Sequence, residues 1–267
     1  MSTILITNAA VIGGIMLLLW VVSVLKRDVS IVDLFWGPGF GVVALVTRSV
    51  SGSRSLPTEL LCWLTCIWAA RLGLYLAWRN HGRPEDYRYR QMRERRGESF
   101  WLSSLLIVFA LQGAVMWVVS LPLQVGISAV EHPHSWLMIP GVLSWMLGFY
   151  FETVGDWQLA RFRANPENKG QLLCTGVWKL TRHPNYFGDF AIWWGLFLLA
   201  ASSGTAWWTI SSPLLMTFFL RYVSGVTLLE KSLSTSKPGY AEYAARTNAF
   251  FPWPPRQADL HGVGDQH

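Results

Sequence analysis

Apolar residues fall along this chain in blocks of about twenty, separated by short clusters rich in Arg, Asn, Gly and Pro. About 20 mostly apolar residues are needed to cross a bilayer as a helix. The pattern therefore predicts an all-α integral membrane protein with about seven spans, at 4–25, 32–48, 57–78, 101–124, 136–159, 187–203 and 206–229. The second and sixth blocks are short, which suits tilted, broken or partly re-entrant helices. The first ends in Lys26-Arg27 and lacks a small-residue cleavage site, so it reads as a retained span and not as a signal peptide. No internal repeat or linker divides the chain. The expectation is one domain over 1–255, followed by a polar, disordered tail over 256–267.

Composition agrees with that reading. Of 267 residues, 52% are hydrophobic and 14% charged, against about 25% charged in soluble domains, and the mean hydropathy is +0.30. Sixteen Trp residues suit the two membrane–water interfaces, where amphipathic aromatics collect. The net charge of +6 does not call for nucleic acid, because Lys and Arg gather in cytoplasmic loops. They follow the first, third, fifth and seventh spans: Lys26 and Arg27; seven arginines between Arg79 and Arg96; Arg161 to Arg182; and Lys231 to Arg256. That asymmetry predicts an N-terminus outside and a C-terminus in the cytoplasm. Cys62, Cys66 and Cys174 give no disulfide framework or metal spacing.

Ionisable groups inside spans are costly and point to function by default. Asp33 opens the second span. Arg71 and Tyr75 lie one turn apart in the third, and Glu152 and Asp156 one turn apart in the fifth. A structural ion pair between Asp33 and Arg71 is the plain alternative to a catalytic role. Asn80 and Arg83 flank Gly82 in a cytosolic loop, where a guanidinium fork suits a phosphate, although an arginine-rich loop also serves topology and anionic lipid. The densest segment runs from Asp156 through Arg161 and Arg163 to Thr181-Arg182-His183-Pro184-Asn185-Tyr186-Phe187-Gly188-Asp189. Pro184 ends any helix entering from the loop, so Asn185 and Tyr186 start the next span, where free N–H groups favour an anion. His183 has no partner at metal spacing, so no metal is expected. No glycine-rich dinucleotide fingerprint or Walker loop is present.

The run Gly176-Val177-Trp178 to Arg182-His183-Pro184-Asn185-Tyr186-Phe187-Gly188-Asp189 resembles the C-terminal signature of the steroid 5α-reductase superfamily, most closely its bacterial branch. The likeness extends from about Val29 to Pro255 and includes the Asn80-x-Gly82-Arg83-Pro84 run. A related RHP-type run also occurs in isoprenylcysteine carboxyl methyltransferases. The resemblance implies a bundle in which NADPH enters from the cytosol and faces a lipid-accessible cavity. By matching positions, it implies that Asn80, Arg83 and Arg163 hold the adenosine and its 2′-phosphate. Asp156, Asn185 and Asp189 would hold the ribose or the nicotinamide end, with Tyr186 beside them. Asp189 stands where the family usually has Glu. Asp33 takes the place of the family's catalytic Glu, with Val32 before it in place of Gln, and the family's catalytic Tyr falls on Trp68, leaving Tyr75 one turn on.

The reaction this implies is conjugate reduction of a lipophilic enone, steroid-like or otherwise, at the inner membrane of a bacterium, with the cofactor side facing the cytoplasm. A donor at the substrate's carbonyl oxygen stabilises the developing charge. Asp33 or Tyr75 could supply it, with Arg71 orienting or tuning Asp33. A methyltransferase using S-adenosylmethionine and a non-catalytic lipid-binding protein are the alternative readings. The expected partners are the lipophilic substrate and membrane lipids; no nucleic acid and no obligatory protein partner is inferred.

Overall fold

The computed structural model describes residues 1–223 and 226–256; the expected tail over 257–267 lies outside the described residues. Among these the chain is helical, with no strand. The elements are α1 (Ser2–Lys26), α2 (Ile31–Ser51), α3 (Leu56–Asn80), α4 (Tyr87–Val119), α5 (Leu121–Ser128), α6 (Ser135–Ala164), α7 (Pro184–Ala201), α8 (Ser211–Phe218), α9 (Val226–Ser236) and α10 (Tyr240–Arg246). Five of them, α1, α2, α3, α4 and α6, are long and apolar enough to cross a membrane. The chain is an integral membrane protein. Of the two remaining expected spans, 187–203 is covered as far as Ala201 by α7, which has 18 residues. The stretch 206–229 is not one continuous helix: a 3₁₀ turn (Trp207–Ile210), α8 and a π-helical stretch (Phe219–Val223) follow one another within it.

Sequence accounts for the boundaries. Arg27, at φ 53°, ends α1 in the left-handed conformation, and Gly52 does the same for α2. Pro57 sits in the first turn of α3 and Pro184 opens α7, positions where a missing N–H costs nothing. Asp86 caps α4 by accepting from the Arg88 N–H. Within α4 the backbone widens to π-helical over Leu105–Ala110 before returning to α.

The described residues form two compact units, neither a contiguous stretch of sequence: residues 1–142 with 196–212, and residues 143–195 with those from 213 on. The first holds α1 to α5. Its core is Phe40, Trp68, Leu61, Met116, Leu123 and Ile127, all nearly inaccessible. Pro38 of α2 seats against Gly73 of α3, where a Cβ would lie 2.6 Å from the proline ring. A buried polar seam ties α1, α2 and α5: Asn8 donates to Thr47 (2.9 Å) and to Gln124 (3.3 Å), as interhelical amides do in membranes. In the second unit α6 and the start of α7 touch backbone to backbone. A Cβ on Gly188 would come within 2.5 Å of the Glu152 nitrogen and 2.6 Å of the Gly148 carbonyl oxygen.

Candidate functional site

In the first unit the candidate chemistry is built on the turn between α1 and α2. The Asp28 carboxylate accepts from the Ser30 N–H (2.8 Å), which sets up α2 with Asp33 in its first turn, where the helix dipole favours a carboxylate. The segment 85–89 is laid along this turn. Val29 N–H donates to Glu85 (2.9 Å), and Asp86 N–H donates to the Ser30 hydroxyl (2.7 Å). Arg93 holds Glu85 from the other side (2.7 Å). This brings two α4 side chains onto Asp33. Arg88 meets Oδ2 at 2.8 Å, and the hydroxyl of buried Tyr89 donates to Oδ1 at 2.6 Å. Gln112, further along α4, donates to the Tyr89 oxygen (3.1 Å). Arg88 also grips Asp86 (2.9 Å). Burial works against ionisation of Asp86, but the hydrogen bonds and charge of Arg88 outweigh it and hold that carboxyl below the usual carboxylate range.

Arg71 and Tyr75 are neighbours on α3, as their spacing requires. The Arg71 guanidinium lies 5.4 Å from the centre of the Tyr75 ring, and that of Arg79 lies 5.7 Å from it. Trp68, in the place of the superfamily's tyrosine, is fully buried beside Phe40, with ring centres 5.9 Å apart. Asn80 ends α3. Its Oδ1 accepts from Arg79 (3.1 Å) and its carbonyl from the Arg83 N–H (3.0 Å), across a turn where Gly82 takes φ 70°. The Arg83 side chain is exposed.

The second unit gathers the other polar residues around the start of α7. Asp156 and Glu152 are buried on α6. Asn185 donates to Asp156 Oδ1 at 3.4 Å, and its own oxygen accepts from the Tyr186 N–H (3.1 Å). Pro184 packs on Gly155, where a Cβ would lie 3.1 Å from it. Asp189 follows Asn185 by one turn of α7, and Arg163 follows Asp156 by two turns of α6 and is exposed. The Tyr186 ring stacks on His183, with centres 5.7 Å apart.

Arg182 and His183, which open the RHPNYFG run, anchor the C-terminal segment. Arg182 pairs with Glu230 (2.5 Å) and donates to the carbonyls of Ala244 (2.9 Å) and Thr247. Its N–H donates to Asn248, Thr181 donates to the Phe250 carbonyl, and Trp253 N–H donates to Leu180. His183 lies 3.4 Å from Glu230. Burial lowers its pKa to about 4 despite that carboxylate, so it is neutral at pH 7. Sequence reasoning missed Arg88, Tyr89 and Glu230. Arg88 and Tyr89 sit in an arginine-rich run; the one available signal was an Asp, Asp86, placed to cap a helix within it.

The family described as "Protein of unknown function (DUF1295)" matches residues 19–247. The chain belongs to this family. The match takes in every candidate site residue that the sequence offered, from Asp33 to Asp189, and the family falls in the steroid 5α-reductase-like group of membrane proteins. The chain is 32% identical to the cobalt-zinc-cadmium resistance protein CzcN of Cupriavidus metallidurans over 107 residues, 40% of this chain and 47% of that one. It is 30% identical to the nickel-cobalt-cadmium resistance protein NccN of Alcaligenes xylosoxydans xylosoxydans over 118 residues, 44% and 53% of the two chains. The chain thus spans about half the length of these two relatives. An uncharacterized protein of Schizosaccharomyces pombe, C594.04c, is 27% identical over 283 aligned residues, covering 92% of this chain and 80% of that one. No solved structure matches the chain.

Proposed function

We propose that this DUF1295 member is an NADPH-dependent membrane reductase that reduces the C=C bond of a lipophilic α,β-unsaturated carbonyl, in the manner of the steroid 5α-reductase superfamily. The observation that carries the reading is the state of Asp33. It is an acid at the head of a membrane-spanning helix, held by a buried phenol at 2.6 Å and a guanidinium at 2.8 Å. Structural carboxylates in spans also find partners; in this reading Asp33 takes up a proton, donates it to the Tyr89 oxygen and so frees the phenol O–H for a developing oxyanion.

The donor sets fit the cofactor's chemistry. Arg83 in the first unit, with Asn80 beside it, and Arg163 in the second are exposed guanidiniums, each by itself suited to a phosphate. Asp156 and Asn185, already hydrogen-bonded to each other, suit ribose hydroxyls, and Asp189 lies on the same face of α7 as Asn185. Bound NADPH would supply the hydride. The chain's own part is to meet the substrate's carbonyl oxygen with a hydroxyl donor as charge builds there. Tyr89 and Tyr75 are the candidate phenols of this unit, Tyr87 being exposed, and Asp33 with Arg88 fixes the orientation of Tyr89. The site belongs to the cytoplasmic side of a bacterial inner membrane in this reading.

The test is NADPH binding to detergent-purified protein, read by quenching of its Trp fluorescence, with NADH and S-adenosylmethionine as comparators. The expected result is NADPH bound at least ten-fold tighter than NADH, and that preference lost in Arg163→Ala and Arg83→Ala. Binding of S-adenosylmethionine alone would replace the reductase with a methyltransferase, and binding of none of the three would leave a non-catalytic lipid-binding protein.

A further inference from the structure

Helices α1 and α4 touch at Gly113, where a Cβ would lie 3.2 Å from Met16 and 3.4 Å from Ile12. Along the same seam they leave two cavities that the proposed reaction does not use. One, of about 790 Å³, is walled almost wholly by apolar groups, among them Gly13, Leu17, Leu105, Phe109 and Trp117. The other, of about 760 Å³, lies toward Lys26 and contains Arg27, Arg93, Glu94 and Glu98 together with Phe100 and Trp101. Trp20, which lies between the two linings along α1, stacks on Trp101 of the charged cavity with ring centres 6.2 Å apart, and the Trp20 indole N–H donates to the Trp101 carbonyl at 2.8 Å. Trp pairs of this kind mark the depth where the hydrocarbon core meets the headgroups.

We propose that this seam is a binding site for one phosphatidylethanolamine molecule, with an acyl chain in the apolar cavity and the headgroup in the charged one. The proposal is independent of the reductase reading. The apolar cavity follows α4 over Leu105–Val118, roughly 20 Å at ~1.5 Å per residue. That length serves a single leaflet's chain, since the whole core is about 30 Å thick. The charged cavity is lined by Arg27, Arg93, Glu94 and Glu98; Arg93 is already paired with Glu85 at 2.7 Å, which leaves Arg27 and two carboxylates to meet a ligand. That set fits a zwitterionic head, its phosphate toward Arg27 and its ammonium toward Glu94 and Glu98, better than an anionic one. The carboxylates choose between the two common zwitterions: a primary ammonium donates hydrogen bonds to Glu94 and Glu98, which a choline group cannot.

The full-length protein, reconstituted into nanodiscs of equal phosphatidylethanolamine, phosphatidylcholine and phosphatidylglycerol, is released and its retained lipid measured by native mass spectrometry. Phosphatidylethanolamine is expected at least five-fold enriched over the bulk ratio. Glu94→Gln combined with Glu98→Gln should remove the preference over phosphatidylcholine while lipid is still retained. Gly13→Phe should reduce retention of any lipid. A Cβ at Gly13 meets nothing within 4 Å, so an unchanged unfolding temperature shows that the groove and not the fold was altered. Retention in the bulk ratio, enrichment of phosphatidylglycerol, or full retention by Gly13→Phe would each overturn the proposal.

Discussion

Removing the hydroxyl of Tyr89 takes a 2.6 Å hydrogen bond from Asp33 and leaves Gln112 without its acceptor there. Tyr89→Phe is expected to destabilise the protein by about 1–3 kcal/mol and, in the proposed reaction, to lower turnover by roughly 10²-fold or more. Tyr75→Phe keeps the ring that Arg71 and Arg79 cover and is expected to lose less than ten-fold. Single-turnover NADPH oxidation with an enone measures both, and the reverse ranking would move the acid to Tyr75. A second residue-scale expectation concerns pH. Burial sets the His183 pKa at about 4 in the folded state, against an ordinary value of 6.5. The unfolded chain therefore binds the extra proton first. Stability contributed by neutral His183 is whole above pH 6.5 and is lost as pH falls toward 4, by about 3 kcal/mol at most. Chemical unfolding at pH 7 and pH 5 should show that slope, and His183→Asn should flatten it. Asp33, Asp156 and Asn185 were legible in the sequence because a polar group beside an apolar run is conspicuous. Arg88 and Tyr89 were not, since nothing along a line of arginines tells which of them folds back onto the preceding turn.

At the scale of helices, the contact between α6 and α7 depends on two glycines facing each other's backbone. A methyl group on Gly188 would press on the Glu152 nitrogen and the Gly148 carbonyl, atoms that cannot rotate away. Gly188→Ala is expected to cost about 1–3 kcal/mol and to weaken any ligand held by Asp156 and Asn185. Gly14→Ala, where a Cβ meets nothing within 4 Å, should be neutral or stabilising by up to ~1 kcal/mol. Thermal unfolding in one detergent compares the two. Most helices could be read from the sequence because twenty apolar residues have few other fates, and Pro184 opens α7 as its chemistry requires. The interruption at Phe219–Val223 could not be read, because a π turn and an α turn are made from the same apolar residues and differ only in which carbonyl each N–H reaches.

At the scale of the molecule, five helices among the described residues meet the length and hydropathy needed to cross a bilayer, and the sequence pattern suggested seven. Both numbers are odd, so we expect the two ends of the chain on opposite faces. From the basic residues after α1, α3 and α6 we propose that the C-terminal end lies in the cytoplasm. A C-terminal green fluorescent protein fusion should therefore fluoresce and a C-terminal alkaline phosphatase fusion should be inactive, with the opposite pattern for the N-terminus. Matching signals at both ends would require an even number of crossings. Charge asymmetry gives an expectation for orientation, but the division of the chain into two interleaved units was not legible in the sequence, because no polar linker marks where one ends.

The π-helical stretch Leu105–Ala110 has a consequence for how this protein varies by descent. Such a stretch holds one residue more than the α-helix it interrupts, and that surplus turns every later side chain of α4 by about 100° about the axis. A single codon gained or lost there would swing Gln112 away from Tyr89 while leaving the segment just as apolar. Two relatives whose genes differ by that one triplet would share a hydropathy profile and yet set different side chains behind the same phenol.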